Sequence, residues 1–148
     1  MPKVRAISKV TVRQARWQLM LSTMLRNRQG RVEVGLFDNA AITEYGFYNE
    51  FGTRTIPARS FIRSTLDQNR RRYQQIIEDG LNQAMLAGVP LTRMLNKLGT
   101  TQSRDIKRKI TSLRTPPNAP STIASKGFNN PLIETGAMRN AIRHRVIA

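Results

Sequence analysis

The side chains able to do acid–base, nucleophilic or metal chemistry are few in this sequence, and they are scattered. The single histidine, His144, falls on the inward side of an alternating C-terminal segment, where a satisfied structural role is expected rather than general-base work. Glu78 and Asp79 are the one adjacent pair of carboxylates, and neighbours on a helix point in different directions. With no cysteine there is no thiolate nucleophile, no disulfide and none of the usual structural zinc sites. Gly52-Thr53-Arg54 lacks the glycine spacing and the lysine of a phosphate loop, and neither a metal-spaced set nor a nucleophile elbow occurs. The expectation is a protein that is not an enzyme, with no catalytic residue, no cofactor and no metal.

What the chain has in excess is cationic chemistry. Lys and Arg number 25 against 9 Asp and Glu, a net charge of +16, where small domains usually carry about 2–8. Residues 1–74 hold 14 basic against 5 acidic side chains and residues 75–148 hold 11 against 4, so the surplus is spread along the chain and not confined to a tail. Copies of such a surface repel one another unless nucleic acid or an acidic protein face opposes it. Three groups stand out: Arg54, Arg59 and Arg63; the run Arg70, Arg71, Arg72; and Lys107, Arg108, Lys109. The first is expected at an exposed turn. The second and third are solvated faces or surfaces for DNA, an acidic partner or a neighbouring subunit.

The first group lies in the least generic stretch of the chain. Tyr45, Phe47, Tyr48 and Phe51 are four of its eight Tyr and Phe residues. Apolar or aromatic residues at 41, 42, 45, 48 and 51 fall on one face of a short helix. Gly52 stops that helix as a left-handed cap would. Pro57 draws Ile56 into an extended conformation, and Ser60 is placed to cap the next helix. Ile56 and Phe61 are expected to anchor this elbow to the core.

Around the elbow the sequence reads as an α+β domain: a small antiparallel sheet packed with several helices, one long helix after the elbow, extended arms and a Pro-rich loop. Residues 1–9 form a mobile basic arm, and residues 10–27 a helix carrying Trp17 on its apolar face. Val32, Val34 and Leu36 alternate with polar residues or glycine as in a half-buried strand. A helix runs from Ser60 to about Ala87, the longest of the chain, closed by Gly88. A short helix follows Pro90 and ends at Gly99, and a separate thin-striped helix covers 103–114. Residues 115–131, with four prolines, form an extended loop. A turn at Glu134-Thr135-Gly136, a short helix from Ala137 to Ala141 and a closing strand beside Val32 complete a single domain, 1–148. No apolar run of eighteen residues and no signal peptide occur, which predicts no membrane segment and a chain soluble in the cytoplasm at synthesis.

Two blocks carry a resemblance. Glu50-Phe51-Gly52-Thr53 followed by Ile56-Pro57-Ala58-Arg59-Ser60-Phe61-Ile62-Arg63, and Pro131-Leu132-Ile133-Glu134-Thr135-Gly136-Ala137-Met138-Arg139-Asn140-Ala141-Ile142 after the lead-in Pro120 to Gly127, are similar in order and spacing to the virion-morphogenesis proteins of tailed bacteriophages. These are the neck, tail-terminator and tail-completion components that join head to tail. The resemblance covers about a third of the chain directly. It implies a structural ring of identical subunits, a hexamer in preference to a dodecamer, that meets head connector or adaptor proteins and the tail tube while DNA passes through its lumen. The protein would be assembled in the host cytoplasm and end in the virion, at the neck or tail. Arg54, Arg59, Arg63, Glu134, Thr135 and Arg139 are then the interface positions, and Arg70, Arg71, Arg72, Lys107, Arg108 and Lys109 face DNA or acidic partners. Phosphate contacts add steeply, so a basic lumen would hold DNA too tightly unless acidic neighbours match many of its arginines. A free basic nucleic-acid-binding protein is the alternative, without a helix-turn-helix, zinc or RNA-recognition signature to support it.

Overall fold

The computed structural model describes residues 30–147 together with Gln18 and Ser22, both of which are helical. The expected arm at 1–9 and, but for those two residues, the expected helix at 10–27 with Trp17 lie outside the described residues.

The described chain is an α+β fold in the order β1 (Arg31–Leu36), α1 (Ala40–Phe51), α2 (Arg63–Gln68), α3 (Arg70–Ala87), α4 (Leu91–Ser112), α5 (Pro120–Lys126), α6 (Ala137–Ala141) and β2 (Ile142–Ile147). The alternating segment expected at the C-terminus does pair with the one at Val32. β1 and β2 are antiparallel, with Val32 opposite Val146, Val34 opposite His144 and Leu36 opposite Ile142. Asn39 caps α1 through its side-chain oxygen, which accepts the Ile42 amide at 3.1 Å.

The long helix after the elbow is present as α3, but it starts later than its apolar spacing suggested. Asn69, at φ −106° and ψ 10°, separates it from the short α2. The Asn69 side-chain amide donates to the Thr65 carbonyl at 2.8 Å, so a polar side chain competes for the backbone at the break. Gly88 closes α3 in the left-handed conformation, as expected.

The longest helix among the described residues is α4, 22 residues, where two short helices broken at Gly99 were expected. Gly99 is buried inside α4, and a Cβ there would lie 2.6 Å from His144 Cδ2 and 2.7 Å from Val32 Cγ2. The glycine therefore serves the close approach of helix and sheet instead of ending the helix. Packing of this kind offsets the roughly 1 kcal/mol that glycine costs inside a helix. Gly80 does the same between α3 and α4, where a Cβ would meet Met94 Cγ at 2.3 Å.

The core lies where α4 crosses the sheet and the elbow. Phe61, Ile106, Ile110, Leu132, Met138 and Ile142 are buried together, with Val34, Leu36, Ile42 and Ile133 packed around them. Phe61 is fully buried, as an anchor should be, whereas Ile56 is only half-buried. The Pro-rich segment is not wholly extended: Pro120 begins helix α5, and Gly127 caps it in the left-handed conformation. Proline at a first helical position loses no hydrogen bond, so a proline-rich stretch can still start a helix.

Candidate interaction surface

The elbow is built on two buried charged side chains. Glu50, at the end of α1, is 4% exposed. Its carboxylate accepts the backbone amides of Phe61 at 2.7 Å, Ile62 at 2.9 Å and Arg63 at 3.0 Å. It also accepts the Ser60 hydroxyl at 2.7 Å and Arg63 Nε at 3.1 Å. One acidic residue thus caps the start of α2, a task expected of Ser60, whose own oxygen accepts only the Ser64 amide at 3.2 Å. Burial alone would raise the Glu50 pKa. The amides of Ile62, Arg63 and Phe61 and the Ser60 hydroxyl outweigh it and hold the carboxyl below its ordinary value.

Arg59 corrects the expectation of an exposed interface arginine, for it is 7% exposed. Its Nε donates to the Pro116 carbonyl at 2.8 Å and Nη2 to the Pro117 carbonyl at 2.7 Å, while Nη1 reaches Asn49 Oδ1 at 3.4 Å. The reason is the turn before it. Gly52 sits at φ 78° and ψ 167°, outside the left-handed helical well but still at positive φ, and a Cβ there would lie 2.9 Å from the Ala58 amide. The tight return brings residue 59 back under the Pro-rich segment, where its amide donates to the Asn49 carbonyl at 2.6 Å. Arg59 is a clamp between elbow and loop.

With polar groups occupying the inside of α1, the aromatic side faces out. Gly46, Asn49 and Glu50 are its buried residues, whereas Tyr45 is 42% exposed, Phe47 57%, Tyr48 37% and Phe51 50%. Phe47 and Phe51 pack against each other with ring centroids 4.7 Å apart. The Arg63 guanidinium, ion-paired with Glu50, lies 4.4 Å from the Phe51 ring centre. A Cβ at residue 46 would come within 2.4 Å of Leu36 Cδ1, so α1 can approach the core only through its glycine side. Arg54 is exposed at the tip of the turn.

The structure brings the two sequence blocks together and also divides them. Tyr45, Ala41 and Ile42 of α1 face Leu132, Glu134, Thr135 and Met138 across a cleft of about 220 Å³. Glu134 and Thr135 are exposed at its edge, and the Thr135 hydroxyl oxygen accepts the Ala137 amide at 3.3 Å. Arg139 belongs elsewhere. It faces a second groove of about 720 Å³ together with Arg104, Lys107, Arg108 and Arg143, over Ile142 and Ser103. Lys109 turns aside toward Gln68, 3.5 Å away.

The arginine run also splits. Arg70, Arg71 and Arg72 are all exposed, and Arg72 is in addition ion-paired with Asp105, a carboxylate only 6% exposed. Tyr73 donates to the same carboxylate at 2.8 Å, and burial together with that hydrogen bond pushes its phenol up to about 12. Arg72 is thereby tied to α4 while its own side chain stays 43% exposed, so the pair offsets its charge without taking it off the surface. Asp105 was not legible as its partner, because the two are 33 positions apart in sequence. Arg104 and Arg143 were missed as members of the groove for the same reason. The α4 stripe 100, 103, 104, 107, 108, 111 is visible by period, but its opposing strand is not.

Among the described residues no three His, Asp or Glu side chains come together as a metal site, and no helix is long and apolar enough to cross a membrane. Comparison of the chain with protein-family models, with curated proteins and with solved structures gives no match.

Proposed function

We propose that this protein is a structural component of the head–tail junction of a tailed bacteriophage, a neck, tail-terminator or tail-completion subunit. In this reading it forms a ring, a hexamer in preference to a dodecamer, that joins tail tube to head connector around the DNA channel. The observation that carries the reading is the outward aromatic face of α1 on a buried polar skeleton. Leaving a large apolar side chain exposed forgoes about 1.5–3 kcal/mol of burial, so four such residues side by side on a helix locked by Glu50 and Arg59 mark a surface that a neighbour covers. The face lies within the sequence block that resembles the junction proteins, and the second block meets it at the Glu134–Thr135 cleft.

The test is assembly. Full-length protein, measured by light scattering across a concentration series and mixed with purified tail tubes, is expected to form a ring or to bind the tube end. The pair Phe47→Ser and Phe51→Ser is expected to keep the subunit folded and abolish both. A chain that stays monomeric and ignores virion parts would remove the proposal.

The second reading, a free nucleic-acid-binding protein, is favoured by the cation surplus itself, since only Glu33, Asp38, Glu50 and Asp105 among the acidic residues pair with arginines in the described chain. It predicts a monomer or dimer that elutes from a DNA column with a steep, reversible dependence on salt.

A further inference from the structure

The geometry points to the groove between α4, α6 and β2 as a docking site for an acidic, partly apolar segment of a different protein. The inference stands on the groove alone, whether or not the chain builds a phage junction. Arg104, Lys107, Arg108, Arg139 and Arg143 rim it without one carboxylate among the lining residues. The one ion pair any of them makes is the loose, exposed contact of Arg143 with Asp38 at 3.8 Å, apart from which the rim is unmatched within the described residues. Beneath the rim lie Ile142 and the hydroxyl of Ser103, a residue 8% exposed whose oxygen has no hydrogen-bond partner. A buried hydroxyl left unsatisfied costs about 1–3 kcal/mol, and because this oxygen is closed to solvent, a carboxylate or peptide carbonyl in the groove would satisfy it once the side chains above it part.

The shape selects among polyanions. A volume of about 720 Å³ lies within the usual range of ligand sites, about 300–1,000 Å³. The floor from Thr100 to Thr111 runs about 16 Å along α4 at 1.5 Å per residue, the length of about five extended peptide residues. Such a trough is too small to seat a DNA duplex, which is met by a helix or ribbon that projects into it. Single strands are held by stacking successive bases on several aromatic rings, whereas the lining of the groove holds a single ring, the half-buried imidazole of His144. A cationic rim whose apolar surface is the aliphatic stems of its own Lys and Arg side chains and the methyls of Thr100 and Thr111 instead matches a segment that alternates carboxylates with aliphatic side chains.

The occupant is not this chain. Residues 1–29 contain no Asp or Glu, and the one adjacent acidic pair, Glu78-Asp79, lies within helix α3 and cannot be offered as an extended segment.

The test uses the full-length protein and a fluorescent, terminally blocked peptide of about ten residues that alternates Glu with Leu, against oligothymidylate and a DNA duplex of equal charge. The peptide is expected to bind more tightly than either nucleic acid at physiological salt. Arg104→Gln with Arg108→Gln should weaken it about 10-fold, the equivalent of about 1.4 kcal/mol. Ser103→Ala should weaken it about 3-fold without lowering Tm, since the hydroxyl is unpaired in the free protein. The pair Arg70→Gln with Arg71→Gln, on α3, should leave the peptide affinity within about 2-fold, as expected of rim-free surface charges. Tighter binding of either nucleic acid, unchanged peptide affinity in either groove variant, or an equal loss in the α3 variant would each overturn the assignment.

Discussion

The aromatic face of α1 and the basic groove of α4 are built in opposite ways. At the elbow the polar groups are inside, bonded to one another and to backbone, and the apolar groups are outside. At the groove the charges stand at the rim above Thr100, Ser103 and Thr111, and a buried hydroxyl is left without a partner. A helix locked by buried hydrogen bonds presents a fixed shape, which suits a partner that fits by contour. A rim of long, mobile cations adapts its geometry but insists on charge, which suits a partner chosen by sign. The two regions should therefore answer differently to mutation: inward changes at the elbow lower stability, outward changes there alter association, and groove changes alter binding alone.

The largest effect is expected at Glu50. Glu50→Ala removes the acceptor of three backbone amides, a hydroxyl and a guanidinium, and should cost about 3–5 kcal/mol of stability measured by urea unfolding. The pH dependence follows from the depressed pKa of this carboxyl. The unfolded chain takes up the Glu50 proton near the ordinary value of about 4.3, so the stabilisation is complete above that pH and is lost as pH falls through the lower folded value. Glu50→Gln should be less stable at neutral pH and show a shallower acid limb. An unchanged acid limb would break the account of the elbow.

Arg59→Met comes next. It keeps the aliphatic stem but leaves the Pro116 and Pro117 carbonyls without their donor, at about 2–3 kcal/mol. Arg59→Glu should fare worse, because it sets a carboxylate against the same oxygens. Loss of fold, not loss of assembly in a stable subunit, is the expected phenotype, and a normal Tm would overturn it. Gly99→Ala tests the wall shared by core and groove. Its methyl would press on the His144 ring and Val32, an overpacking of about 1–3 kcal/mol visible in Tm. Phe47→Ser should change subunit stability least, within about 0.5 kcal/mol as for other exposed positions, while shifting the association equilibrium seen by light scattering. A large loss of Tm there would mean that the ring supports the subunit's own core.

The periodicities were a good guide wherever the signal is local. The strand at Val32, the helix ending at Phe51, the cap at Gly88, the terminal strand and the buried Phe61 all follow from spacing and turn chemistry within a few residues. Gly99 and Pro120 misled because each residue type has two uses. A glycine either ends a helix or lets something press against it, and a proline either breaks a helix or begins one. Which use applies depends on Val32 and His144 in the first case, far away in sequence. Arg59 misled for a related reason: its type and its turn suggest exposure, and only the Pro116 and Pro117 carbonyls 57 and 58 positions later make it a buried clamp.

By itself, then, the order of residues determined both strands and their antiparallel pairing, the ends of α1 and α3, the charge surplus and the crowding of aromatics at one elbow, because these depend on neighbours within a helical turn or a strand period. Tertiary structure decided which side of α1 faces water, which arginines are spent internally and which gather at the groove. Those outcomes depend on the few places where α1 and α4 can come close to the sheet, set by Gly46 and Gly99, and on where a buried carboxylate such as Glu50 or Asp105 finds its donors. Close approach and burial are properties of surfaces brought together, and no local spacing encodes them.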